Sequence, residues 1–115
     1  MLKIYGIKNC DSVRKSLKYL KENGIKYEFI NFKETQVSQE VINEWLSFTD
    51  IDTLFNKRGT TYRTLNLKEL TLSNEDKQLW LFKENMLIKR PVIRFNNDII
   101  VGYNNLEDKL KEYKG

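Results

Sequence analysis

Between Leu2 and Ile30 the apolar residues change period twice, and this constrains the fold more than any other feature of the chain. Leu2, Ile4, Tyr5 and Ile7 form a short apolar run of the kind expected of a buried strand. Gly6 weakens that strand, and Lys8-Asn9 closes it with turn chemistry. From Asp11 the spacing becomes helical: Val13, Leu17 and Leu20 share one side, while Arg14, Lys15, Lys18 and Lys21 take the other. Gly24 follows the last apolar position, where a helix commonly closes through one left-handed residue. Residues Ile25 to Ile30 then read as a second strand. Strand, helix and strand in that order predict a parallel βαβ unit, because parallel neighbours need a crossover between them.

Cys10 is the only cysteine, and the change of period puts it where the first strand turns into the helix. Free N–H groups and the positive end of the helix dipole gather there and favour a thiolate over a thiol. Lys8, Arg14 and Lys15 add positive potential nearby in sequence, and Asp11 opposes it. An isolated cysteine also suits a core as a small hydrophobe. Here the flanks Lys8-Asn9 and Asp11-Ser12 are polar on both sides, which favours an accessible, reactive thiol.

A single cysteine excludes an intramolecular disulfide, so any redox cycle must take its second thiol from outside the chain. The absence of histidine removes a cysteine–histidine dyad, a serine triad and the usual zinc ligand sets, and no metal site is expected. What remains for catalysis is Cys10 with carboxylates, lysines and arginines. A net charge of +4 suits an anionic partner. The lysines are mostly interleaved with glutamates, as in Lys18 and Glu22 or Lys68 and Glu69, in the manner of a solvated surface. No helix-turn-helix, zinc finger or aromatic RNA-binding motif is visible, so direct contact with nucleic acid is not expected. The 115 residues suffice for one domain with a real core. No apolar run approaches the roughly 20 residues of a membrane span and no signal-peptide pattern opens the chain. A cytoplasmic location without a membrane partner is the resulting expectation.

Further along, Ser38 is a candidate N-cap, with Val37 and Ile42 spaced as a hydrophobic staple and Val41, Ile42, Trp45 and Leu46 as the inner stripe of a helix to about Phe48. Asp50 starts a short helix through Ile51, Leu54 and Phe55. Asn56-Lys57-Arg58-Gly59-Thr60-Thr61-Tyr62-Arg63 has no period of either kind and reads as a solvated loop or as an anion clamp, since the guanidinium fork matches an oxyanion. Ser73-Asn74-Glu75-Asp76 forms a capping box for a helix ending near Asn85. Pro91 marks the start or edge of a strand that runs through Val92, Ile93 and Phe95. Asn96-Asn97-Asp98 turns a hairpin into Ile99-Ile100-Val101, and Asn104 or Asn105 caps a final helix that turns Leu106, Leu110 and Tyr113 inward.

The order is βαβ, a helical insertion over about 37–87, then ββα: an α/β chain of thioredoxin-like layout with a mixed four-stranded sheet, in one domain over 1–115. Four stretches go further: Tyr5-Gly6-Ile7-Lys8-Asn9-Cys10-Asp11, Asn56 to Arg63, Lys89-Arg90-Pro91-Val92-Ile93 and Val101-Gly102-Tyr103-Asn104. In that order they resemble the arsenate reductase (ArsC) family, and within it the branch of the YffB-type proteins and the Spx regulators. The resemblance implies that Cys10 attacks an oxyanion or a mixed disulfide, that Arg58 and Arg90 hold the anion, and that the peptide bond before Pro91 is cis. Lys8, Asn9, Arg14 and Pro91 are the expected substrate-binding residues around them. The family's arsenate reductases carry a third arginine near the last strand, where this chain reads Val101-Gly102-Tyr103; Arg94 does not match that position. Redox-sensing Spx-like members often have a second cysteine three residues after the first, where this chain has Val13.

Two functions from different classes follow. One is a cytoplasmic monothiol reductase with no bound cofactor, with glutathione as co-substrate and glutaredoxin as a further partner. The other is an Spx-like regulator that docks on RNA polymerase without enzymatic activity.

Overall fold

The computed structural model describes residues 1–111 and Tyr113. The elements in chain order are β1 (Leu2–Gly6), α1 (Asp11–Glu22), β2 (Tyr27–Asn31), α2 (Gln39–Leu46), α3 (Ile51–Leu54), α4 (Thr60–Thr64), α5 (Asn74–Lys83), β3 (Val92–Phe95), β4 (Asp98–Val101) and α6 (Leu106–Leu110). Short 3-10 turns cover Leu67–Glu69 and Asn85–Leu87. The chain divides into two compact units, Met1–Thr35 with Arg90–Gly115, and Gln36–Lys89.

The first unit holds the thioredoxin-like sheet, in the order β2-β1-β3-β4. β1 runs parallel to β2 from Leu2↔Tyr27 to Gly6↔Asn31, and antiparallel to β3, with Tyr5 opposite Val92. β4 returns antiparallel to β3, with Val92 opposite Val101. The ends of β1, β2 and β4 and the start of β3 therefore share one end of the sheet. Leu2, Ile4, Leu20, Ile93, Ile100, Leu106 and Leu110 form the core of this unit. Gly24 closes α1 at φ +64 as the sequence suggests, and Asn96 (φ +48) supplies the left-handed residue of the β3–β4 turn. Asn105 takes the N-cap position of α6, but its side chain makes no capping bond.

Two features of β1 and α1 differ from the sequence reading. The buried stripe is Val13, Ser16 and Leu20, while Leu17 is only half-buried. Ser16 is tolerated at full burial because its hydroxyl donates to the Ser12 carbonyl at 2.7 Å. Gly6 does more than weaken β1: a Cβ there would lie 2.6 Å from Cγ2 of the fully buried Val13. Strand and helix approach this closely because position 6 has no side chain. Gly6→Ala should thus lower the unfolding free energy by about 1–3 kcal/mol, the usual cost of overpacking. Urea unfolding of Gly6→Ala, Val13→Ala and the double variant checks this. The double variant should be more stable than the sum of the single losses implies, since Val13→Ala removes the clash.

In the second unit Ser38 caps α2, accepting from the Val41 N–H at 3.2 Å, and Val37 and Ile42 are both buried. Asn85, only 7% exposed, accepts from the Val37 N–H at 2.7 Å and donates to the Leu81 carbonyl at 2.9 Å. One buried amide thereby ties the start of α2 to the last turn of α5. The capping box at Ser73 is formed, with Asp76 as its reciprocal partner, and α5 ends at Lys83 before the 3-10 turn at Asn85. The stretch Asn56–Arg63 is not wholly irregular: Thr60–Thr64 makes one helical turn with Gly59 at its N-cap. Five residues are too few to show a period, which is why the sequence hides it.

Asp50 caps α3, accepting from the backbone N–H of Thr53 at 2.8 Å and from its hydroxyl at 2.9 Å. These bonds, the backbone one first, hold its carboxyl below the ordinary value of 3.8. A depressed carboxyl contributes stability that is fully present above the unfolded-state value and is lost as pH falls through the folded one. Acid titration of stability should accordingly show a shallower decline below pH 3.8 for Asp50→Asn than for the wild type.

Candidate active site

Cys10, its neighbours Lys8 and Asn9, and Arg90-Pro91 lie at the shared end of the sheet in the first unit. β1 ends at Gly6, and Ile7, Lys8 and Asn9 carry the chain to Cys10, the N-cap of α1. Cys10 has extended backbone (φ −142°, ψ 124°), and its carbonyl accepts from the Arg14 N–H at 2.9 Å. Its thiol makes no capping hydrogen bond, and the residue is partly exposed. The sulfur therefore stands free at the positive end of a twelve-residue helix, beside first-turn N–H groups that have no acceptor within the helix. Lys8 and Asn9 are exposed.

Pro91 lies just before β3, and the pairing of Tyr5 with Val92 sets it beside the exit of β1. The Arg90-Pro91 bond is cis, as the resemblance implies. Pro91 is buried, and its carbonyl accepts from the Gly102 N–H at 2.8 Å. Gly102, at φ +87, is the residue that sequence reasoning quoted but gave no role; it makes the turn after β4 that anchors the proline. Arg90 is half-buried next to it.

Arg14, expected as a substrate contact, has local partners. It donates to Asn9 Oδ1 at 3.3 Å and forms an ion pair with Asp11, so it joins the residues on either side of Cys10. Arg58 belongs to the second unit, exposed in the turn before α4, with its N–H donating to Asn56 Oδ1 at 3.1 Å. Arg94 is no substitute for a third arginine. It sits towards the hairpin, at the opposite end of β3 from Pro91, and donates to the Asp98 carbonyl at 2.7 Å. Val13, where a second cysteine would make a dithiol, is fully buried against Gly6. Among the described residues no group of histidine, cysteine, aspartate or glutamate is placed to hold a metal ion, and no helix is long and apolar enough to cross a membrane.

Together these features define a thioredoxin-like domain with one accessible thiol at a helix mouth, beside a cis-proline. The chain belongs to the ArsC family, whose model matches residues 5–110. It is 36% identical over 115 residues to YusI of Bacillus subtilis, covering 96% of each chain. With the global transcriptional regulator Spx of Staphylococcus aureus it shares 28% identity, over 98% of this chain and 86% of Spx. The crystal structure of a possible arsenate reductase from Streptococcus mutans superposes with a TM-score of 0.81 and 29% identity, covering 96% of this chain and 98% of that one.

Proposed function

We propose that the protein is a monothiol reductase of the reducing cytoplasm that uses Cys10 as its nucleophile and glutathione as co-substrate. The observation that carries this reading is the uncapped, partly exposed Cys10 thiol at the start of α1, on the sheet end that also holds Arg90-Pro91. With a mixed disulfide as substrate, the Cys10 thiolate attacks the glutathionyl sulfur and the substrate leaves as a thiolate. A glutathione thiolate then attacks the Cys10–glutathione disulfide, releasing oxidised glutathione and free Cys10. With arsenate, Cys10 and one glutathione supply the two electrons. Arsenite and water leave, the same Cys10–glutathione disulfide remains, and a second glutathione or a glutaredoxin resolves it. Arg90, in the same unit as Cys10, neutralises the anion in either case.

Steady-state reduction of a glutathionylated peptide and of arsenate, with glutathione and glutaredoxin supplied, tests this. Arg90→Ala should lower turnover about a hundredfold and Arg90→Lys less, since lysine keeps the charge but not the fork. Equal turnover in all three would remove Arg90 from the reaction. The likeness to Spx favours a second reading, a regulator that docks on RNA polymerase and turns nothing over. Recovery of polymerase subunits on the immobilised protein, with no turnover of either substrate, is the result that would favour it.

A further inference from the structure

The second unit carries a cleft that the thiol chemistry does not use. Phe55, Leu67, Leu70 and Leu72 line one hollow, but Phe55 and Leu67 are buried, so the surface it offers is mostly polar. The adjoining hollow, of about 370 Å³, is lined by Lys57, Arg63 and Lys68 together with Asn66 and Glu69. Lys57 and Tyr62 line both hollows. Tyr62 is held edge-to-face against Phe55, with ring centroids 6.0 Å apart. Asn66, in the left-handed region at φ +54, makes the sharp turn between α4 and the following 3-10 turn that brings Arg63 and Lys68 to the same hollow.

The charges on the two sides differ in kind. Lys77, which lines the smaller hollow, is neutralised by Asp52 at 2.9 Å. Lys57, Arg63 and Lys68 form no ion pair among the described residues, although Glu69 lines their hollow. Three cations against one carboxylate leave this side positive. Exposed cations alone hold a free anion weakly because water and salt screen them. The half-buried Tyr62 ring shares their hollow, whose open surface is more apolar than polar, and adds a hydrophobic contribution that an inorganic ion cannot use.

We propose that the larger hollow binds a small organic anion, its aryl or alkyl body on Tyr62 and its carboxylate or phosphate head between Lys57, Arg63 and Lys68. The volume suits a ligand of small-molecule size. Titration of the full chain with 4-phenylbutyrate and with phenyl phosphate, followed by amide ¹H–¹⁵N shifts, tests the site and tells the two heads apart. Neutral 4-phenylbutanamide and inorganic phosphate are the controls. Saturable shifts are expected within residues 55–72, with both controls binding at least about fivefold more weakly. Lys57→Ala/Lys68→Ala should weaken both anions about tenfold, and Cys10→Ser should leave them unchanged, separating this site from the proposed thiol activity. Shifts outside the cleft, equal binding of the neutral amide, or an unaltered affinity in the double variant would each overturn the proposal. The comparison of ligands on the wild type stands whether or not the variant folds.

Discussion

Cys10→Ser is expected to lower glutathione-dependent turnover by at least about a thousandfold, while changing the unfolding free energy by no more than about 0.5 kcal/mol. The two halves of this expectation have separate causes. Serine's hydroxyl is a far weaker nucleophile than a thiolate and cannot form the disulfide through which the electrons pass. No other thiol in the chain is available to replace it, since Cys10 is the only cysteine. The small stability effect follows from position. The residue is partly exposed and its side chain caps nothing, so it contributes little packing and no side-chain bond to the backbone. Serine is a good N-cap in its own right and suits the extended φ and ψ of this residue. Turnover assays alongside urea unfolding separate the effects. An inactive variant that had also lost several kcal/mol would point to a structural cysteine.

The largest expected loss of stability is at Trp45. It is fully buried within the second unit, on the inner stripe of α2 with Ile42. Trp45→Ala removes a nine-atom indole and leaves a cavity that α2 cannot close without breaking the Val37–Asn85 tie at its start. The expected cost is about 3–5 kcal/mol, a large part of the total for a domain of this size. Trp45→Phe keeps an aromatic plug and should cost clearly less. Denaturant melts of both variants check the order. Equal small losses would mean that the unit repacks around the gap.

How far the fold could be read from the sequence depended on the length of each element. The βαβ start was legible because β1 shows as an apolar run and α1 is long enough for a period of 3.6 to appear. The caps at Ser38, Asp50 and Ser73 were legible because capping is a local bond between near neighbours. α4 and the two 3-10 turns were not, being three to five residues long. Ser16 escaped because a serine that bonds its own helix carbonyl can stand in an apolar stripe without looking apolar. The importance of Gly6 escaped for the opposite reason, since its contact with Val13 lies across two elements. At the candidate site, the position of Cys10 followed from the change of period alone. The cis bond at Arg90-Pro91 came only through the resemblance, because local preference for cis before proline is a few per cent. The tie of Arg14 to Asn9 and Asp11 is a matter of side-chain geometry that spacing does not express.

Whole-protein mass spectrometry of the native chain mixed with oxidised glutathione tests the central claim most directly. An accessible, nucleophilic Cys10 predicts one glutathionyl adduct per molecule, located on Cys10, reversed by reduced glutathione and absent from Cys10→Ser. An adduct that forms only after unfolding, or one that glutathione fails to remove from the native protein, would contradict the reductase reading.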